Sequence, residues 1–318
     1  MNKGISRALV VCVLLSVCWM AQAQKFIFTP QWTAQAQFAG YYVAYERGFY
    51  RDAGLDVEIV HPSLSRSALS RIRDNESQAT TLQLCQALEI IDSGIPLVNI
   101  LQTSMNNALV IVSRKDEDPI LQKGMRVGTW SVGFDQIAIC LSLREGLNYE
   151  WVPFSTGLTL FLTGAIDATL AMTYSELQQL LQAGVEITER NIYRFSDHDY
   201  NIQEDGVYMT RPYFEAHQEE ARKFAEASRQ GWEWAAEHPD ETLNIVMDYV
   251  ERNHVATNRV MQKRMLEEIL RLQVDRESGQ REFRLRSDMV EKANMMMQEN
   301  QMILHKISFE ELSACLPL

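Results

Sequence analysis

Two indoles and three carboxylates stand where this chain could hold a flat, nitrogen-rich ring. An indole offers a face for stacking, and a buried carboxylate accepts hydrogen bonds from amino groups and protonated ring nitrogens. Trp32 lies in a polar loop after a strand read at Phe26–Thr29 and before a helix. Trp130 ends the strand Arg126–Thr129 at the equivalent place in a second unit, and Gly133 leaves room there for close approach. Tyr174 and Glu176 follow the strand Asp167–Met172, while Glu204 and Asp205 form an acidic pair just before a strand starting at Gly206. Gln102, Asn106 and Asn107 close the strand Leu97–Gln102, where the Asn pair could equally be turn chemistry. Tyr41 and Tyr42 belong to a helix core from which one hydroxyl could face a cleft. Each of these residues also has a plainer use. A tryptophan at a strand end is often a core aromatic, and charged loop residues are usually a solvated hinge.

The elements that must position these groups follow from periodicity. Phe38, Tyr41, Tyr42, Tyr45 and Phe49 fall on one helical face, Gly54 follows as a C-cap, and Leu55–Val60 alternates like a strand. Residues 25–60 therefore read as a βαβ crossover, and ligands in open α/β sheets bind beyond the carboxyl ends of strands. The pattern repeats as helix Arg66–Asp74, strand Ala79–Leu82, helix Leu84–Ser93, and strands Leu97–Gln102 and Leu109–Arg114. Asp116-Glu-Asp-Pro119 breaks structure and reads as a first crossing between two lobes. A second series runs from Arg126 to Phe195, the polar stretch Asp197–Glu204 reads as the return crossing, and helices dominate after Thr210. The expected organisation is a leader at 1–23, one lobe from 24–115 plus 206–318, and another from 116–205.

Lys3 and Arg7 precede an apolar run, Ala8–Trp19, and Ala21-Gln22-Ala23 is a small-x-small cleavage site: a secretory leader, with Gln24 as the mature N-terminus. Leu15-Ser-Val-Cys18 resembles a lipobox and offers lipid anchoring at Cys18 as the alternative. Of 30 basic residues, loss of Lys3 and Arg7 leaves 28 against 42 acidic, a net charge of −14. No basic cluster interleaves with aromatics, which argues against nucleic acid, and the acidity suits a neutral or cationic ligand. Cys85 and Cys140 sit in apolar helical text and read as small buried hydrophobes; a disulfide between two of Cys85, Cys140 and Cys315 stays open. The six histidines lack ligand spacing, so no metal site is expected. No nucleophile elbow, phosphate loop or His-Glu-x-x-His is present, and no catalytic residue or cofactor is assigned.

Residues 31–61 carry a further signal. The Ala36-Gln-Phe-Ala-Gly-Tyr-Tyr-Val-Ala44 stretch closely resembles periplasmic binding proteins of the ABC-transporter family that includes thiamine-pyrimidine and alkylsulfonate receptors. The likeness continues through Gly94–Gln102, Val127–Trp130, Tyr149–Pro153, Asp167–Glu176, Glu204–Thr210 and Gly231–Trp234. It implies a type II periplasmic binding fold, two α/β lobes with a ligand cleft and a hinge. It also implies a receptor that passes a thiamine-precursor-like pyrimidine to an ABC permease docking on the lobe rims. On that resemblance the site would comprise Trp32, Tyr41, Gln102, Asn106, Trp130, Tyr174, Glu176, Glu204 and Asp205. The chain departs from the family at Ser175, where Asn is usual, and at Asn106-Asn107, where an Arg-Ser pair is common.

A related fungal enzyme uses this fold to make the thiamine pyrimidine from bound pyridoxal phosphate, with a Lys for the imine, a donor His and a cysteine-rich loop. Aligned on Gly94-Ile-Pro96, the Lys position falls at Leu82 and the His position at Gln86, and no cysteine-rich loop precedes Glu204. Leucine cannot form an imine, so the sequence reads as a receptor and not an enzyme. Two alternatives stay beside the importer receptor: a periplasmic sensory module for a membrane partner, and a receptor for another solute such as an alkylsulfonate.

Overall fold

The computed structural model describes residues 25–63, 65–131, 133–154 and 157–316, so the leader, Cys18 and the cleavage site lie outside the described residues. Two five-stranded sheets organise the chain. The first orders β2 (Val57–Ile59), β1 (Phe26–Thr29), β3 (Ala79–Gln83), β10 (Asp205–Thr210) and β4 (Leu97–Gln102). The second orders β7 (Glu150–Phe154), β6 (Arg126–Trp130), β8 (Ala168–Met172), β5 (Leu109–Ser113) and β9 (Ile192–Arg194). Each sheet has one strand opposed to the rest. β10 runs antiparallel to β3 and β4, and β5 runs antiparallel to β8 and β9. In both cases it is the first strand made after the chain changes lobes.

The strand at Leu109 corrects the sequence reading, which put it in the first lobe and the crossing at Asp116–Pro119. The chain crosses through residues 103–108 and returns through 195–204. Leu109–Val112 is apolar throughout and fully buried, so nothing local marks which sheet it joins; its partners lie some sixty to eighty positions away in sequence. Asp116 instead accepts a hydrogen bond from Thr188 Oγ1 at 2.8 Å, within the second lobe.

The helices are α1 (Ala39–Glu46), α2 (Phe49–Asp52), α3 (Ala68–Arg73), α4 (Leu84–Asp92), α5 (Gln136–Arg144), α6 (Thr159–Leu162), α7 (Glu176–Gln182), α8 (Arg211–Ala216), α9 (Gln218–Glu237), α10 (Pro239–Arg252), α11 (Arg259–Leu272), α12 (Ser287–Glu299) and α13 (Phe309–Leu312). The helix read through Phe38–Phe49 divides at Gly48, whose φ of +80° is left-handed and ends α1. α1 lies against α9 where Gly40 and Gly231 face each other. A Cβ on Gly231 would strike the Gly40 carbonyl oxygen and lie 2.8 Å from Ala44 Cβ, so only glycine lets these backbones meet. That crossing buries Trp232 at the base of the first lobe. α12 packs on α4 of the first lobe and α5 of the second, spanning both from behind. Cys85 and Cys140, on those two helices, are buried thiols, and Cys315 is free as well.

Candidate functional site

The carboxyl ends of the parallel strands in the two sheets face one another. Because β10 runs the opposite way, its amino end, carrying Glu204 and Asp205, reaches the same edge. Three adjoining chambers lie between the sheets. The middle one, about 30 Å³, is walled by Trp32, Trp130, Phe134, Tyr174, Glu176 and a group of glutamines, Gln31, Gln35, Gln37 and Gln83. It shares Trp32, Trp130 and Glu176 with a wider mouth of about 390 Å³ bounded by α11. It shares Gln37 and Tyr174 with an inner chamber of about 10 Å³ that holds Glu204, Asp205, Trp232 and Gln273. Every charged side chain in these walls is acidic.

Trp32 owes its place to a half-buried histidine. His61 Nδ1 lies 2.7 Å from the Trp32 carbonyl oxygen, and Nε2 lies 2.8 Å from the Tyr42 hydroxyl. A carbonyl only accepts, so Nδ1 donates and Nε2 takes the Tyr42 proton. Burial lowers the His61 pKa to about 4, which keeps this neutral tautomer in place. Trp130 closes β6 and is buried. Phe134 stands edge-on to both indoles, 6.0 Å from Trp32 and 6.1 Å from Trp130. It does so at a φ of +149°, which side chains rarely adopt and which costs on the order of 1–3 kcal/mol.

The acids are held by donors, and among the described residues no cation pairs with them. Asp205 accepts from Gln37 Nε2 at 2.6 Å and Gln31 Nε2 at 3.0 Å, and Gln35 in turn donates to Gln37 at 2.7 Å. Glu204 accepts from the Ala108 amide at 3.0 Å and so ties the two crossing segments together. Glu176 opens α7 and accepts from the Met172 amide at 3.1 Å. Burial raises the pKa of all three. For Glu204 the rise is large, and the charge on neighbouring Asp205 adds to it. The site thus stores uncompensated acidity that a positive or hydrogen-donating guest would relieve.

Of the residues singled out from sequence, the structure brings together Trp32, Trp130, Tyr174, Glu176, Glu204 and Asp205 in the walls of these chambers. Three others lie outside them. Tyr41 is core, its ring against Phe28 and Trp232. Gln102 is fully buried and spends its amide on the carbonyls of Ser104, Glu204 and Asp205, bracing the crossings. Asn106 does likewise, donating to Val274 O at 2.8 Å and Leu272 O at 3.3 Å. Gln102 closes β4 and Asn106 lies in the crossing that follows, where backbone carbonyls left outside the sheets claim both amides. Missed from sequence were Phe134, the glutamines, Trp232 and Gln273. The Gln31-x-x-x-Gln35-x-Gln37 spacing was a readable signal; the last two come from helical text with no local mark.

The profile of the family described as "NMT1/THI5 like" matches residues 35–242. The formylaminopyrimidine-binding protein of Halalkalibacterium halodurans is 25% identical over 266 residues, 75% of this chain and 78% of that protein. Among solved structures, a conserved Candida albicans gene product with the generic periplasmic binding protein fold superposes with a TM-score of 0.66 at 14% identity, covering 93% of this chain and 97% of that one. The alkanesulfonate-binding protein of Xanthomonas axonopodis pv. citri, bound to MOPS, gives 0.66 at 10% identity over 92% and 99%. The fold is that of the periplasmic binding proteins, in the two-lobed arrangement expected from the sequence.

Proposed function

This chain belongs to the NMT1/THI5-like family, and on that premise we propose that it is a periplasmic solute receptor for an aminated heterocycle of the thiamine-pyrimidine type. The carrying observation is the composition of the cleft: two indole faces and only acidic charges around them. A stacked ring satisfies the indoles, and its amino and ring-nitrogen protons satisfy the carboxyls. A sulfonate would instead meet three acidic groups and, among the described residues of these walls, no cation. The middle chamber has room for about two waters, so a ring enters as the lobes part about residues 103–108 and 195–204. The likeness to a formylaminopyrimidine-binding protein supports the ligand class, and the leader read at residues 1–23 supports export.

Leu82, where the fungal enzyme's imine-forming lysine would fall, is buried in β3, which supports binding rather than catalysis. Glu176→Gln keeps the shape and the Met172 contact while removing the charge. Calorimetry should show a loss of roughly ten- to a hundred-fold for a 4-aminopyrimidine, since a hydrogen bond to a charged group contributes about 1.5–3 kcal/mol. Ethanesulfonate binding more tightly than the aminopyrimidine to the unaltered protein, with no response to the substitution, would overturn the reading in favour of an anion receptor.

A further inference from the structure

We propose that the hairpin 273–282 is a strap laid across the hinge, and that Arg276 near its tip latches the second lobe in the closed position. The hairpin follows α11, which belongs to the first lobe: Gln262 Oε1 accepts from the Ala36 amide at 2.7 Å. Val274 pairs with Arg281 in antiparallel fashion, and the Asp275 amide donates to Gln280 O at 2.8 Å. Asp275 is buried and shapes the turn. Its Oδ1 accepts from the amides of Glu277 at 3.0 Å and Ser278 at 2.7 Å, and its Oδ2 from Arg286 at 3.1 Å. The tip is therefore fixed before Arg276 reaches out from it.

Most of the bonds between this segment and the two crossings hold the stretches that leave the first lobe. The Met105 amide donates to Leu272 O at 2.9 Å, the Gln102 amide to Phe283 O at 3.1 Å, and Asn106 Nδ2 to Val274 O at 2.8 Å. Gln203 donates to Arg284 O at 3.0 Å and accepts from the Arg286 amide at 2.8 Å. Those bonds move with the first lobe. Arg276 grips the other end. Its guanidinium donates to Ser196 O at 2.8 Å and to Asp197 Oδ1 at 3.3 Å, in the turn Phe195–Asp197 directly after β9. Among the described residues, every hydrogen bond between the hairpin and that turn comes from Arg276. Parting the lobes by bending at 198–202 carries Asp197 away with β9 and breaks this grip. Both partners are about half exposed, so the latch shifts the balance of open and closed forms by about fivefold at most. It biases the empty protein toward a narrow cleft without barring entry.

Leu181 on α7 and Val260 on α11 are exposed and flank the mouth where Gln182 Nε2 lies 3.6 Å from Met261 Sδ. Spin labels on Leu181→Cys and Val260→Cys, in a Cys315→Ser background, report the width of the empty mouth by pulsed electron paramagnetic resonance. The otherwise unaltered protein at low salt should give mainly the short distance. Arg276→Ala should raise the ratio of long to short distances about two- to fivefold. Salt near 1 M, where screening acts over about 3 Å, should produce the same rise with Arg276 in place and little further change in the variant. Asp197→Ala, which leaves the Ser196 carbonyl, should give a smaller rise in the same direction. Distributions that Arg276→Ala leaves unchanged overturn the latch, as does a mouth already mainly wide with Arg276 present. A salt response as large in the variant as without the substitution overturns it too. No ligand takes part, so the outcome stands apart from the heterocycle reading.

Discussion

Replacing Glu204 by Gln should stabilise the empty protein, by an amount that grows with pH. The carboxyl is 4% exposed, has Asp205 as its neighbour and no cation, and its pKa stands well above the usual carboxylate range. In the unfolded chain a glutamate titrates near 4.3. Between that value and its folded pKa the native state holds a proton that the unfolded state has released, so stability falls as pH rises through the window. Below about pH 4.3 both states are protonated and the penalty vanishes. Each pH unit inside the window costs about 1.4 kcal/mol. For a chain of this size that is about 2 °C in melting temperature per unit. Gln at 204 still offers an oxygen to the Ala108 amide, so that contact is kept. Thermal unfolding of both proteins by circular dichroism from pH 4 to 8 should give coincident values at the acid end. A gap should then open in favour of the variant up to the folded pKa. Parallel curves, or a variant less stable at pH 7.5, would refute the claim that this acid is an uncompensated buried charge kept for ligand.

Trp32→Ala or Trp130→Ala should each weaken aminopyrimidine binding by about tenfold or more, because stacking contributes on the order of 1 kcal/mol beyond the area it buries; titration calorimetry with unchanged affinity in both folded variants would discard the stacking geometry. Gly231→Ala forces a methyl against the Gly40 carbonyl oxygen and to within 3.0 Å of the Ala44 amide nitrogen. Overpacking of this kind costs about 1–3 kcal/mol, so urea unfolding should show a lowered midpoint, and an unshifted midpoint would mean that α1 and α9 can separate freely.

What could be read along the chain was whatever local physics decides. Apolar spacing gave the βαβ start, and strand ends marked Trp32, Trp130, Tyr174 and Glu176, because a side chain just past the carboxyl end of a parallel strand must lie at the cleft edge. Glu204 and Asp205 reached the same edge for a reason of tertiary structure, the reversed direction of β10. Pairing decided the rest. Leu109–Val112 is uniformly apolar, so its sheet was set by β8 and β9, far off in sequence. Gln102 and Asn106 read as free amides until carbonyls brought in from Ser104, Glu204, Asp205, Leu272 and Val274 claimed them. Trp232 and Gln273 lay in helical text that looked like packing. They became part of a polar chamber only because two glycines let α9 close on α1 and because the end of α11 folds back beside Asp205. Hydrogen-bond demand belongs to a buried place rather than to a residue type, and a place is made by several distant segments at once.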